Sequence, residues 1–414
     1  MSNIIVVGAG AAGMMSAYFA AKNGHNVTII EKNEKAGKKI YITGKGRCNI
    51  TNACDVEELF DNVVTNKKFL YSSFYGFSNS DVVEFFNKAG LETKIERGNR
   101  VFPVSDKAND VISTLLKLLK EAGVKIIYDT KVEKIVTKSM DGTEYFYSCI
   151  AGKKEYVADA IIIATGGLSY PSTGSTGDGH QFAKNTGHTI TQMSPALVPF
   201  TVTEEDVREL QGLSLKNSGV SIYEGKKKIY EAFGELLFTH YGVSGPTVLS
   251  ASSYVAKKIK DHPLDLIIDL KPALSVEQLD ERILRDFEEV RNRNFNNSLD
   301  KLLPKSLIPV IINRCGIDQY KKVNEISHDE RMKLVNTIKN FRFTLTGLRG
   351  YNEAIVTQGG VSVKDIDPST MESKKVKGMF FAGEVLDLDA VTGGFNLQIA
   401  WSTGFLAGSN ACQI

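Results

Sequence analysis

Residues 4–31 read IIVVGAGAAGMMSAYFAAKNGHNVTIIE, and this stretch decides the fold. Residues 4–7 form a short apolar run, as expected of a buried parallel strand. A G-x-G-x-x-G turn follows at residues 8–13, and residues 14–22 contain helix formers without a breaker. Residues 27–30 form a second apolar run. The spacing predicts a βαβ unit of the kind that binds dinucleotides.

Each part of this unit has a physical role in holding a dinucleotide. Gly8 permits the tight turn, Gly10 lets the backbone approach a diphosphate, and Gly13 lets the helix pack closely on the strand. The exposed amides and the positive dipole at the helix start attract phosphates. Glu31 closes the second apolar run and can accept hydrogen bonds from a ribose. An acid at this position disfavours NADP and leaves FAD and NAD open.

The composition of the chain limits the kind of protein it can be. Its 414 residues predict two or three domains. The net charge of +2 argues against a protein that binds nucleic acid electrostatically, although a local basic patch stays open. There is no signal-peptide pattern, and no apolar run approaches the roughly 18 residues of a membrane span. We therefore predict a cytoplasmic protein that is not associated with a membrane.

Two later segments have the form of strand ends at which doubly wound folds bind ligands. Residues 160–164 (AIIIA) lead into Thr165-Gly166-Gly167, and residues 379–382 lead into Gly383-Glu384. Gly393-Gly394 then precede a helix, whose N-terminus would attract an anionic or carbonyl group. An acid after a strand can hydrogen-bond a polyol chain. A dinucleotide held by both ends of the chain, with a ribityl-like chain between, fits FAD better than NAD.

Residues 32–54 (KNEKAGKKIYITGKGRCNITNAC) lack helical periodicity and predict a long ordered loop, of a kind that is usually functional. Cys48 and Cys54 lie in it with five residues between them. Flavin disulfide reductases carry a redox pair in a comparable place with four residues between, so the spacing favours small packing residues. The five cysteines form no C-x-x-C motif and predict a reducing compartment: Cys48, Cys54, Cys149, Cys315 and Cys412.

The pattern changes between residues 191 and 358. Residues 191–274 and 341–358 contain short alternating runs between turns, which predict a β-rich insert. Residues 275–340 are charged and poor in glycine, which predicts helices. Within the insert we expect separate strands at Lys228–Tyr230 and Glu235–Thr239. The expected helices are Val276–Arg291, Leu299–Leu303, Leu307–Asn313 and Asp329–Asn340.

The chain resembles the three-domain flavoproteins known variously as aminoacetone oxidases, BaiN-type 3-dehydro-bile-acid reductases or NAD(P)/FAD-dependent oxidoreductases. The matching stretches span essentially the whole chain: GAGAAG, TGKGRCNITN, RVFPVSDKANDV, ATGGLSYPSTGSTGDG, GELLFTHYGVSGP, FRFTLTGLRGYNEAIVTQGGV and FFAGEVLDLDAVTGGFNLQIAWSTG. The resemblance implies an α/β fold with a glutathione-reductase-like FAD-binding Rossmann domain (residues 1–190 and 359–414). It also implies an inserted β-barrel-like domain (residues 191–274 and 341–358) and a nested helical domain (residues 275–340).

The resemblance further implies FAD, bound non-covalently at the turn and strand ends described above. The expected cofactor residues are Gly8, Gly10, Ala11, Ala12, Gly13, Glu31, Lys32, Gly44, Gly46, Arg47, Cys48, Asn49, Val132, Ala164, Thr165, Gly166, Gly167, Gly383, Glu384, Gly394, Phe395, Asn396, Leu397 and Gln398.

We therefore predict a FAD-dependent oxidoreductase that transfers a hydride between flavin N5 and a small organic molecule. Two chemistries stay open: reduction of a C=C bond conjugated to a ketone with NAD(P)H as donor, and oxidation of a small amine such as aminoacetone by O2. Since only one complete dinucleotide fingerprint is present, a nicotinamide donor would dock transiently. The alternatives are a flavoprotein that acts in RNA modification and a non-catalytic flavin-binding sensor.

Three residues of the insert are candidates for contact with the substrate. His240 and Tyr241, in LFTHYGVSGP, can transfer protons, and neighbouring glycines permit close approach of a ligand. A hydrogen-bonded structural role is the favoured alternative, because no carboxylate or metal partner is evident. Arg349, in GLRGY, can orient an anionic group or pair with an acid at a domain interface. The sequence indicates no metal site and no oligomeric state.

Overall fold

The computed structural model describes residues 1–411 and divides them into two units. The first unit contains Met1–Ala196 and the chain from Gly350 onward, and the second contains Leu197–Arg349. Each unit has its own cluster of buried apolar side chains. Cys412, one of the five cysteines, lies outside the described residues.

The elements are numbered in chain order. Up to Ala196 they are β1 (Asn3–Val7), α1 (Ala11–Lys22), β2 (Asn26–Ile30), α2 (Lys38–Ile42), β3 (Thr51–Asn52), α3 (Val56–Asp61), α4 (Tyr71–Gly76), α5 (Asn79–Lys88), β4 (Thr93–Glu96), β5 (Arg100–Pro103), α6 (Ala108–Glu121), β6 (Lys125–Ile127), β7 (Val132–Met140), β8 (Thr143–Ala151), β9 (Lys154–Val157), β10 (Ala160–Ile163), α7 (Asp178–Asn185) and β11 (Ser194–Ala196).

The second unit contains β12 (Phe200–Val202), β13 (Ser214–Glu224), β14 (Lys227–Thr239), β15 (Gly242–Ser244), α8 (Pro246–Val255), β16 (Leu264–Asp269), α9 (Val276–Glu288), α10 (Leu307–Cys315), α11 (His328–Lys339) and β17 (Phe341–Leu348). The chain then returns to the first unit with β18 (Val356–Gln358), β19 (Val376–Lys377), β20 (Met379–Phe381) and α12 (Phe395–Asn410).

The first unit is built on a parallel sheet with the strand order β20-β10-β1-β2-β6. Its central strands are buried apolar runs, as a sheet covered on both faces requires. In register, Val7 lies opposite both Ile30 and Ile163, and Ile163 lies opposite Phe381. The carboxyl ends of four strands therefore meet at one edge of the sheet, although they come from distant parts of the chain.

The second unit is a closed barrel, with α8 between strands β15 and β16 and with α9, α10 and α11 between β16 and β17. The strand order is β12-β15-β14-β13-β16-β17, and β12 closes the barrel by pairing with both β15 and β17. Alternate residues of β16 are buried, since one face of each strand points into the barrel. Helices α9 and α11 begin at serine capping boxes, at Ser275 and Ser327.

The α/β fold class and the barrel are confirmed, and three local predictions are wrong. A short helix, α2, interrupts the predicted loop; it is anchored by buried Ile40, and five residues are too few to show periodicity. The two strands predicted between residues 228 and 239 are one strand, because β14 pairs with β13 on one side and β15 on the other. Residues 299–303 form turns rather than a helix, and Pro304 follows them without an amide donor.

The predicted division into three domains and the predicted cytoplasmic location both stay predictions. The division into three domains with bounds at residues 191, 275, 341 and 359 stays a prediction beside the two units described here. Within residues 1–411, every helix is too short or too polar to cross a membrane.

Candidate dinucleotide site

The predicted phosphate turn lies where β1 ends at the shared sheet edge. Gly8 has φ 104°, a backbone conformation that favours glycine. A Cβ on Gly13 would lie 1.9 Å from the carbonyl oxygen of Gly8, whereas a Cβ on Gly10 would meet nothing within 4 Å. Among the described residues no side chain caps α1, and the first turn of the helix, which includes Ala11 and Ala12, contains no acid. The turn is therefore closed on its inner side, with an uncapped helix start suited to an anion.

Glu31 lies beside this turn at the end of β2. Its side chain accepts hydrogen bonds from the Ala9 amide at 2.7 Å and from the amide and side chain of Asn33 at 2.8 and 2.6 Å. Glu31 is 6% exposed. Since a carboxylate has about four lone-pair sites, it can still accept a bond from a ribose hydroxyl.

Lys32 belongs to a cluster of polar side chains that the sequence analysis did not predict. Its ammonium donates to the hydroxyl of Thr176 at 2.5 Å and to Asp178 at 2.6 Å, and Lys131 lies 3.3 Å from the same carboxylate. Burial alone would raise the pKa of Asp178, but the two lysines outweigh it and lower that pKa. Asp178 is therefore held ionised at the start of α7.

The stretch that contains Gly44, Gly46 and Arg47 is a tight, partly left-handed turn. Lys45 and Cys48 both have positive φ, 58° and 61°. The guanidinium of Arg47 pairs with Glu96 at 2.5 Å and Asp106 at 2.6 Å, so its charge is already used within the protein. The Oδ1 atom of Asn49, by contrast, is buried without a hydrogen-bond partner among the described residues.

The cysteines of this stretch behave as packing residues. Cys48 and Cys54 are free in the structure. Burial raises the pKa of the Cys48 thiol to about 12 and that of Cys54 to about 11. Both thiols are therefore poor nucleophiles at neutral pH, as the spacing indicated.

The segment from Ala164 to Gly167 follows β10 at the same edge. The hydroxyl of Thr165 is buried without a hydrogen-bond partner among residues 1–411. A Cβ on Gly167 would lie 2.5 Å from the hydroxyl of Thr357 and 3.0 Å from Glu384. The chain at Gly167 therefore lies directly against the polar group described next.

Glu384 is the centre of a hydrogen-bonded cluster. Its carboxylate accepts bonds from Lys39 at 2.5 Å, from the Ser169 hydroxyl at 2.7 Å and from the Thr357 amide at 2.7 Å. Lys39 also donates to Ser169 at 2.5 Å. Burial would raise the pKa of Glu384, but Lys39, Ser169 and Thr357 together lower it. Sequence reasoning predicted Glu384 and missed its three partners. Ser169 and Thr357 lie inside the matching stretches, whereas Lys39 lies outside them, in the segment predicted as a loop.

At the start of α12 the polar side chains are hydrogen-bonded within the protein, so this helix start would offer backbone groups to a ligand. The side chain of Asn396 bonds to the backbone of Ala390 at 2.7 and 3.0 Å. Gln398 is buried, accepts from Thr51 at 2.5 Å and donates to Ser402 at 2.8 Å. Helix α12 has a glycine N-cap, Gly394, and no acid in its first turn. The other predicted residues are buried or half-buried here and at the start of β7: Phe395, Leu397 and Val132.

The predicted substrate residues lie in the second unit. His240 is exposed at the end of β14, and its ring contacts that of Tyr241 edge to face at 4.8 Å. The guanidinium of Arg349 lies 4.4 Å from the centre of the Tyr241 ring, a cation–π geometry. Arg349 and Tyr241 therefore form a pair, and their contact with substrate stays a prediction.

The geometry agrees with comparisons to known proteins. A family model described as HI0933-like protein Rossmann domain matches residues 2–410. The chain belongs to this family. It is 30% identical to the 3-dehydro-bile acid delta(4,6)-reductase of Clostridium scindens over 100% of both chains. It is 33% identical to the ribosomal RNA dihydrouridine synthase of Haemophilus influenzae, covering 98% of this chain and 97% of that protein.

A solved structure shows the same fold. The 3-ketosteroid delta1-dehydrogenase of Sterolibacterium denitrificans, solved in complex with 1,4-androstadiene-3,17-dione, matches with a TM-score of 0.55 and 12% identity, and 99% of each chain is covered. Membership of the family confirms the resemblance seen in the sequence, the Rossmann fold class and an enzyme of the FAD-dependent oxidoreductase class.

Proposed function

We propose that this protein is a FAD-dependent reductase of a carbon–carbon double bond conjugated to a carbonyl group. The observation that carries the proposal is the likeness, over its whole length, to a reductase whose name places a keto group in conjugation with delta(4,6) double bonds. When bound, FAD supplies hydride transfer at N5.

The residues at the sheet edge fit this cofactor. The Gly8–Gly13 turn and the start of α1 would hold the diphosphate, and Glu31 would accept from the ribose. The buried Asn49 Oδ1 and Thr165 hydroxyl lack partners within the described chain, and polar groups of a cofactor would satisfy them. The backbone at the start of α12 would bind a carbonyl group of the flavin.

The substrate needs a proton as well as a hydride, because reduction of a conjugated double bond adds one of each. The hydroxyl of Tyr241 is our candidate proton donor, and the guanidinium of Arg349 holds the Tyr241 ring in place by stacking on it. NAD(P)H is the proposed electron donor, and it would dock transiently because the chain has only one dinucleotide fingerprint.

Anaerobic stopped-flow kinetics tests this function. The purified protein should show a flavin spectrum, NADH or NADPH should bleach it, and a 3-keto-Δ4 steroid should restore it without O2. The matched saturated 3-keto steroid should leave the flavin reduced. Bleaching by aminoacetone and recovery only with O2 would overturn the proposal in favour of the amine oxidase. A flavin that no donor reduces would favour a sensor.

A second candidate substrate is a uracil base in ribosomal RNA. The likeness to a ribosomal RNA dihydrouridine synthase favours it, and the chemistry is the same, since the C5=C6 bond of uracil is conjugated to a carbonyl. Residues 32–47 carry one acid, Glu34, and six basic residues, of which four are paired with acids within the protein. Lys35 and Lys45 are exposed, and Tyr41 between them is 54% exposed. Such a mixture of cations and an exposed aromatic ring suits a nucleic-acid strand. The six are Lys32, Lys35, Lys38, Lys39, Lys45 and Arg47.

Binding to an rRNA fragment tests this candidate. Lys35 and Lys45 are exposed, so the double substitution Lys35→Glu/Lys45→Glu should weaken retention and reduce its dependence on salt. The exposed pair Lys125→Glu/Lys153→Glu is the matched control. Equal retention of both variants, or no dihydrouridine formed from the fragment with NADPH, would exclude rRNA and leave the small-molecule substrate.

A further inference from the structure

The ion pair between Lys39 and Glu384 joins four separate segments of the first unit. Lys39 lies on α2, Ser169 follows β10, Thr357 lies on β18 and Glu384 follows β20. Ser169 and Thr357 are completely buried. The Thr357 hydroxyl also accepts from the amides of Leu168 and Ser169, at 2.7 and 3.1 Å. The carboxylate is thus fixed in direction by the protein.

Two contacts place this ion pair beside the phosphate turn. Gly37, which precedes α2, donates its amide to the carbonyl of Ala9 at 2.9 Å. A Cβ on Gly383 would lie 2.8 Å from the Cβ of Ala12 in the first turn of α1. The segments that carry Lys39 and Glu384 therefore both pack directly against the Gly8–Gly13 turn.

A carboxylate in this position presents an electrostatic problem for a cofactor. The diphosphate of FAD is anionic, and like charges at close range in a partly buried site repel strongly. Glu384 has three hydrogen bonds from the protein for about four lone-pair sites, so one site is open to a cofactor hydroxyl. The carboxylate is useful to the cofactor only if its charge is balanced.

We propose that Lys39 is a positioning residue for FAD, which neutralises Glu384 so that this carboxylate can accept a cofactor hydroxyl next to the diphosphate. The inference rests on the proposed FAD function and adds a residue that neither the sequence nor the family resemblance assigned. Lys39 acts on the cofactor through Glu384 and does not itself contact the reacting atoms.

Equilibrium binding of FAD to the apoprotein tests this inference, measured by quenching of flavin fluorescence between pH 6 and 8. Lys39→Met should weaken binding at pH 8 by at least about tenfold, the factor that corresponds to about 1.4 kcal/mol. The loss should shrink towards pH 6, because the unpaired Glu384 takes up a proton and no longer repels the diphosphate. Burial lowers the pKa of His180 and the charge of Glu384 raises it, so His180 is the other titratable group that responds to changes at Glu384.

The control is the neighbouring lysine. Lys38 pairs with Glu34 on the surface at 3.2 Å, so Lys38→Met should bind FAD as the wild type does. Lys39→Met/Glu384→Gln removes both charges and should restore binding to within about threefold of the wild type, without the dependence on pH. The double variant also guards against misfolding, since it leaves no unpaired charge in the site.

The outcomes separate this inference from the function on which it rests. A wild-type protein that binds no FAD would overturn the proposed function. If the wild type binds FAD and Lys39→Met binds like Lys38→Met, the role of Lys39 is wrong. The same holds if the double variant binds as weakly as Lys39→Met at every pH, or if Lys39→Met does not fold while the double variant folds and binds weakly.

Discussion

Two glycines in the phosphate turn have different surroundings, which predict separate contributions to folding and to the proposed cofactor site. A Cβ on Gly13 would overlap the carbonyl of Gly8, whereas a Cβ on Gly10 would meet no atom of residues 1–411 within 4 Å. Space that the fold leaves empty at a helix N-terminus is available to an anion. We therefore expect Gly13 to be fixed by packing and Gly10 to be needed for the proposed ligand.

We expect Gly13→Ala to lower the free energy of unfolding of the apoprotein by about 1–3 kcal/mol or more, through steric overlap. Gly10→Ala should cost less than about 1 kcal/mol, as a poorer N-cap, yet weaken FAD binding at least about tenfold. Chemical denaturation and FAD titration of both variants check this. Equal stability of the two variants would contradict the packing argument, and wild-type affinity in Gly10→Ala would contradict the assigned phosphate position.

His188 connects stability to pH at the residue scale. It is buried, and its Nε2 atom lies 2.7 Å from the Ser373 hydroxyl. Burial lowers the pKa of His188, so the folded state favours the neutral ring. The unfolded chain then binds more protons than the folded one near the ordinary histidine pKa of about 6.5. Stability from this residue is present above that pH and is lost as the pH falls below it.

Thermal unfolding between pH 7.5 and 5.5 checks the effect. The wild type should lose stability as the pH falls, and His188→Gln should show a shallower loss because glutamine does not titrate. The quantity to compare is the slope of stability against pH, because the variant also loses the hydrogen bond to Ser373 at every pH. Parallel slopes for the two proteins would show that His188 does not titrate on unfolding.

At the scale of elements, α1 and α12 pack in backbone contact behind the phosphate turn. A Cβ on Gly404 would lie 2.7 Å from the carbonyl of Ala12, and a Cβ on Gly408 would lie 2.2 Å from that of Ser16. The two glycines are four residues apart and so share one face of α12. This packing brings the last helix of the chain against the first.

Gly408→Ala should destabilise the protein by about 1–3 kcal/mol, because the methyl group would force α12 away from α1. This holds although alanine is the better helix former by about 1 kcal/mol. Ser409→Ala, one residue further on and half-buried, is the control and should change stability by less than about 0.5 kcal/mol. An increase in the denaturation midpoint of Gly408→Ala would refute the close contact.

At the scale of the molecule, the residues proposed for FAD and those proposed for the substrate belong to different units. The residues proposed for the cofactor lie on both sides of the second unit in the chain, whereas His240, Tyr241 and Arg349 lie in the continuous segment Leu197–Arg349. That segment has its own closed barrel and its own buried cluster, which includes Phe238, Phe341 and Phe343.

A fragment of residues 197–349 should therefore fold alone, with cooperative unfolding, and bind no FAD. Circular dichroism, thermal unfolding and flavin titration check this, with the full chain as the control. A fragment that is unfolded at 25 °C would show that the barrel depends on the first unit. A fragment that binds FAD would place part of the cofactor site where we have not.

Much of the candidate cofactor site can be predicted from local spacing. The turn, the helix start and the acid at Glu31 are set within one βαβ unit, where the order of residues fixes their geometry. The loop at residues 32–54 was predicted less well: a helix too short to show periodicity went unseen, and the charge of Arg47 is taken by Glu96 and Asp106.

The sequence by itself determined the βαβ unit, the phosphate turn and the β-rich character of the insert, because each depends on periodicity or on contacts between near neighbours. Only the tertiary structure decided that Lys39 meets Glu384, 345 positions away, and that Asp178 joins Lys32. Such pairs follow from strand order and register, which bring distant strand ends to one edge of the sheet. No local sequence pattern predicts these two ion pairs, and it is these pairs that balance the charges around the proposed cofactor.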